Sequence, residues 1–123
     1  FIQYATAGLA SSVVAGQAQA QSGGLSVRYL GHMCFLFTGS GQRILVNPFR
    51  SAGCTAGLRP PNVQTDLVMI SSQLLDVGAI DVVPGDPKLL VEAGAYNVGG
   101  LKIQGVATDQ DRIGGRRFGR NIA

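Results

Sequence analysis

Histidine is almost missing from this chain: His32 is the only one in 123 residues. Cysteine is scarce as well, and Cys34 and Cys54 stand at a spacing that matches no zinc-binding pattern. A phosphate-binding loop, a dinucleotide fingerprint and a zinc ribbon are all absent. Ser71 or Ser72, His32 and Asp76 could be assembled on paper into a hydrolytic triad, but no nucleophile-elbow pattern surrounds either serine. His32 and Cys34 lie two apart, which on a strand puts imidazole and thiol on one face; a buried, inert thiol beside a turn histidine is the commoner arrangement. Charge is thin too. Only 14% of residues are charged and 46% are hydrophobic, enough to bury a core and too apolar for disorder. The 18 glycines follow no short-period repeat, which excludes collagen-like and low-complexity chains. They fall between apolar runs, as turn residues do in a strand-rich fold.

The formal charge of +3 is concentrated near the C-terminus, in Arg112, Arg116, Arg117 and Arg120. Such a cluster can meet phosphate or anionic lipid. No aromatic residues are interleaved for base stacking, so it reads as a solvated loop and no nucleic-acid partner is expected. At the other end, residues 1–16 are uncharged and moderately apolar, as a short helix would be. Ala18-Gln19-Ala20 follows, with the small residues that mark a signal-peptidase site. FIQYATAGLASS resembles the segment after the paired arginines of twin-arginine export signals. The alternative is a helix packed on the domain, for which Ala, Gly and Ser make a weak face. Left uncleaved, the segment is short for a membrane span and would be a marginal anchor. In an exported protein a Cys34–Cys54 disulfide becomes an option, subject to strand direction.

Residues 1–24 are therefore an export-signal-like or anchor segment with a polar, Gly-rich joint, and the folded domain spans 25–123. Strands are expected over Leu25–Leu30, which alternates, then over Met33–Thr38 and Arg43–Val46, with a hairpin turn at Gly39-Ser40-Gly41. Leu67–Ile70 is wholly apolar, as in a sheet covered on both faces. A loop and a short helix lead to Ile80. Three further strands, Lys88–Glu92, Tyr96–Val98 and Leu101–Val106, follow, with Gly99-Gly100 as a tight turn. This order supports a β-rich or α+β domain.

Specific strings carry more. Val27-Arg28-Tyr29-Leu30-Gly31-His32, Cys34-Phe35-Leu36-Phe37 and Arg43-Ile44-Leu45-Val46-Asn47-Pro48-Phe49 stand in this order. Thr65-Asp66-Leu67-Val68-Met69-Ile70-Ser71, Pro84-Gly85-Asp86-Pro87 and Gly114-Gly115 follow. Together they resemble the opening of the small metal-dependent hydrolases of the metallo-β-lactamase fold, from about Leu25 to the last residue. The resemblance implies an α+β domain, the αββα sandwich of that family, of which this chain holds the first half, mostly strands. A half-sandwich leaves one sheet face uncovered, so either the sequence is a fragment or a partner covers the face.

The family's histidine-rich metal motif aligns with Ser72-Gln73-Leu74-Leu75-Asp76-Val77. Ser72, Leu74 and Val77 stand where the resemblance places histidines, Gln110 where it places a later one, and only Asp76 survives. Leucine and valine cannot bind zinc, and neutral serine and glutamine oxygens are feeble ligands. Asn47 replaces the family's Asp before Pro-Phe, and the residue matching His32 lies near the family's metal centre. The zinc site is accordingly expected to be lost, leaving a ligand pocket near His32, Asn47, Asp76 and Asp111. Asp76, Asp109 and Asp111 could together hold a hard cation, but turn-capping carboxylates paired with Arg112 or Arg116 are the simpler reading. The expected function is an exported, non-catalytic scaffold or binding protein with no cofactor, facing the periplasm or a thylakoid lumen. Two alternatives stay open: an accessory subunit of a membrane complex, possible in a photosynthetic cell and anchored by residues 1–16, and a metal-dependent hydrolase using ligands outside this segment.

Overall fold

The computed structural model describes residues 20–22, 24–117 and 119–123; residues 1–16, with their expected helix, signal or anchor, lie outside the described residues. Ten strands are found among them: β1 (Ala20–Ser22), β2 (Leu25–Gly31), β3 (Cys34–Gly39), β4 (Gln42–Val46), β5 (Leu67–Met69), β6 (Lys88–Leu90), β7 (Gly94–Val98), β8 (Leu101–Gly105), β9 (Ala107–Asp109) and β10 (Arg120–Ile122). β1 to β6 form one sheet in sequence order. β1 through β4 are an antiparallel meander, whereas β5 and β6 join in parallel. β7–β8 and β9–β10 are separate antiparallel pairs. Helix among the described residues is confined to two 3-10 turns, Gly53–Thr55 and Ile80–Val82. The second of these begins at Ile80, the residue at which the expected loop and short helix end.

Three differences from expectation have simple causes. The polar joint before Leu25 is not a loop: Ala20–Ser22 pairs with β2, with Ala20 opposite Val27. The segment 107–122 holds a hairpin that three-residue strands cannot announce by periodicity. The 72–79 stretch forms turns, not an α-helix.

Hairpin chemistry fixes the meander. Gly39 pairs with Gln42, leaving Ser40 (φ 51°) and Gly41 (φ 72°) as a two-residue loop with both residues left-handed, the twist that flanking strands require. Gly99 (φ 56°) and Gly100 (φ 82°) do the same for β7–β8. Strand alternation then divides the core. Ile44, Leu67 and Leu90 face one side of the sheet and are covered by Tyr96, Val98, Leu101 and Ile103 of the β7–β8 hairpin. Cys34, Leu36, Leu45, Val68 and Ile70 face the other, under Phe49 and Val83. The hairpin covers only part of its face. Beside it an apolar trench of about 540 Å³ runs over Phe37, Ile44, Val46 and Met69.

Candidate functional site

The crossovers that follow β4 and β5 carry the chemistry. Asn47 ends β4 in the left-handed region (φ 53°), a conformation asparagine tolerates better than most residues. Its buried side-chain oxygen accepts a 2.8 Å hydrogen bond from the Ser71 N–H, which starts the next loop. That loop is stitched back to the first: the Arg50 N–H donates to Leu75 O (2.9 Å) and the Ala79 N–H to Pro48 O (2.9 Å). It is also tightly coiled. The Gly78 N–H donates to Leu74 O at 2.7 Å, and a Cβ on Gly78 would lie 2.1 Å from the Ser72 carbonyl oxygen.

Asp76 sits on this coil and faces two partners. His32 Nε2 lies 3.5 Å from Asp76 Oδ2. The Cys54 thiol donates to the same oxygen at 3.6 Å. The ligand-type atoms of the three residues all fall within 4.8 Å of one another. His32 is half-buried in the β2–β3 turn at φ 49°, its ring edge-on to Phe49 at 6.3 Å between centroids. Its backbone carbonyl accepts from the Tyr29 hydroxyl at 3.2 Å. Cys54 rides on the Gly53–Thr55 turn, pinned from beneath by the fully buried Thr55, whose hydroxyl donates to Ala52 O (2.8 Å) and also lies against Arg50 O. Arg50 in turn pairs with Asp81.

Of the expected ligand pocket of His32, Asn47, Asp76 and Asp111, the structure brings His32 and Asp76 together. Asn47 is spent on Ser71. Asp111 organises its own loop, accepting from the Ile113, Gly115 and Arg117 N–H groups at 2.8–2.9 Å; it is a turn-capping carboxylate, as the simpler reading holds. Asp109 meets Arg120 at 3.7 Å rather than Arg112 or Arg116. Gln110 is exposed on the β9–β10 loop, its N–H donating to Gly119 O. Ser72 and Leu74 line a cleft of about 320 Å³ with Ile70, Val91, Arg120 and Ile122, and Leu74 is 47% exposed there. Asp76 and Val77 are half-buried.

Both cysteines are free, and the Cys34–Cys54 disulfide that export would allow is not formed. Cys34 is fully buried in the core, where desolvation pushes its pKa from 9.0 up to about 12. It is an inert structural thiol. The thiol beside the imidazole–carboxylate pair is Cys54, which sequence reasoning leaves as a loop residue. No local spacing signals it, because it lies 22 residues from Asp76 and reaches it only through the crossovers.

The metals that the family resemblance implies do not fit the corresponding positions. Serine, leucine, valine and glutamine supply neither the nitrogen nor the charge that a two-metal hydrolytic centre needs.

Comparisons with known proteins agree on the fold. Residues 26–123 match the family described as Beta-lactamase superfamily domain. A putative zinc-dependent hydrolase of the metallo-β-lactamase superfamily from Thermotoga maritima superimposes with a TM-score of 0.59 and 32% identity, over 80% of this chain and 41% of that one. A UPF0173 metal-dependent hydrolase of Thermococcus kodakarensis is 38% identical over 47 residues, or 38% of this chain and 20% of that protein. The chain thus spans less than half the length of either relative. Its strand-rich architecture is that of the first half of the metallo-β-lactamase fold.

Proposed function

Because the chain belongs to the beta-lactamase superfamily, with metal-dependent hydrolases as its relatives, we propose that it keeps this scaffold without the two-metal hydrolytic chemistry. On this reading it acts by binding a ligand or partner through the vacated cleft. One observation carries the reading. Where the family resemblance calls for histidines stand Ser72, Leu74, Val77 and Gln110, and Leu74 is exposed in a cleft that it lines with Ser72 and Arg120. A leucine at a ligand position cannot be rescued by a small shift of backbone.

The setting we propose is outside the cytoplasm, in a periplasm or thylakoid lumen. The support is the uncharged 1–16 stretch followed by Ala18-Gln19-Ala20. Among the described residues no helix is long and apolar enough to cross a membrane. The stretch that an anchored-subunit reading needs lies outside them.

The test is hydrolysis by the intact protein after supplementation with zinc or manganese, on phosphodiester, thioester and β-lactam substrates. Turnover no faster than the metal blank, with no more than one metal per chain by elemental analysis, is expected. Turnover with two metals per chain sinks the reading in favour of a working hydrolase.

A further inference from the structure

We propose that His32, Cys54 and Asp76 form a mononuclear site for a thiophilic divalent transition-metal ion of the zinc class, in which Asp76, the one residue of the family's motif that survives, is joined by two ligands from outside it. The argument is geometric. A tetrahedral zinc ion, with bonds of about 2.0 Å to nitrogen and oxygen and 2.3 Å to sulfur, spaces its ligand atoms roughly 3.3–3.6 Å apart. His32 Nε2 and Asp76 Oδ2 stand 3.5 Å apart, Cys54 Sγ and the same oxygen 3.6 Å, and all three atoms within 4.8 Å. Two edges of the ligand triangle already have the right length, and closing the third, at most 4.8 Å long, takes no more than about 1.5 Å of movement by an exposed thiol.

The donor set chooses the ion. One imidazole, one thiolate and one carboxylate favour zinc or cobalt over calcium or magnesium, which take all-oxygen shells. Three protein ligands leave the fourth position to water, and the half-buried His32 and Asp76 beside the exposed Cys54 keep that position open. The alternative of a relay in which imidazole activates the thiol fits less well. The thiol and the imidazole both point at the carboxylate, whereas a relay needs the imidazole between the other two.

The three ligands also come from three different loops, the β2–β3 turn, the Thr55-pinned turn and the Gly78 coil, the last two held together by backbone hydrogen bonds. Such support is what holds a ligand set within the tolerance of a metal. A bound ion would tie these loops together at one point and stabilise the folded chain by mass action.

The experiment titrates the intact, reduced protein with Co²⁺ and follows the sulfur-to-cobalt charge-transfer band. One Co²⁺ per chain, displaced by an equivalent of Zn²⁺, is expected. Cys54→Ser should abolish the band and weaken binding at least about tenfold. Asp76→Asn should weaken binding likewise, and Cys34→Ala should leave band and stoichiometry unchanged. A second measurement needs no variant: Zn²⁺ should slow alkylation of Cys54 in the wild-type chain. Absence of the band, its survival in Cys54→Ser, or alkylation of Cys54 at the same rate with and without Zn²⁺ overturns the proposal. This site does not depend on the non-catalytic reading. Hydrolytic turnover would sink that reading and leave this one standing, and loss of the band would do the reverse.

Discussion

Replacing Asn47 tests whether the joint between the two crossovers is held as the structure shows. Asn47→Ala removes the acceptor of the Ser71 N–H. That donor is only half-buried, so the loss falls at the low end of the range for an orphaned group, about 1–1.5 kcal/mol. It also places a Cβ without a polar side chain at φ 53°, which costs roughly 1–2 kcal/mol. The sum is about 2–3.5 kcal/mol. Asn47→Gly loses the same hydrogen bond but relieves the left-handed strain, at an entropic cost of roughly 0.5–1 kcal/mol. It should therefore be less damaging than alanine by about 0.5–1 kcal/mol. Asn47→Asp keeps both the acceptor and the tolerance for this backbone, and should be the mildest of the three despite burying a charge. Urea unfolding followed by circular dichroism, with slopes compared between variants, measures all of this. An alanine variant as stable as wild type, or a glycine variant less stable than alanine, would refute the account of Asn47 as both hinge and acceptor.

Other expectations follow from the same loops and core. Gly78→Ala drives a methyl onto the Ser72 carbonyl, so the coil must open; a loss of about 1–3 kcal/mol and a weakened Co²⁺ site should appear together in melting and titration. Leu45→Ala empties a fully buried position and should cost about 2–5 kcal/mol in urea unfolding. Cys34 has a folded pKa raised above its unfolded value, so its contribution is complete below pH 9.0 and is lost as pH rises toward about 12. At about pH 10.5 the loss should reach roughly 2 kcal/mol, and Cys34→Ala should lack that part of the alkaline slope. In the native protein iodoacetamide should modify Cys54 first, and Cys34 only after unfolding.

Much of the large sheet is legible in the sequence because its strands are periodic or wholly apolar. Alternation over Leu25–Leu30 finds β2, and the run Leu67–Ile70 finds the buried β5. The β9–β10 hairpin is hidden because Ala107-Thr108-Asp109 and Arg120-Asn121-Ile122 are too short to show a period, and β9 is exposed throughout. The candidate site divides in the same way. Asp76 and His32 draw notice through strings that resemble a family, whereas Cys54 stands in a loop with no local signal. Its place is fixed by Thr55 beneath it and by the hydrogen bonds between the two crossovers, which are tertiary facts.

The mixed direction of the large sheet sets an order of events during folding. β2, β3 and β4 are joined by two-residue turns and can zip in roughly 1–10 μs. β5 and β6 pair in parallel only after the chain has closed the long connections spanning 47–66 and 70–87, which is slower because loop closure precedes any reward from contact. His32 belongs to the early hairpin, while Cys54 and Asp76 belong to the late connections. The three side chains thus meet near the end of folding, so the cluster can take up an ion only once both crossovers have closed.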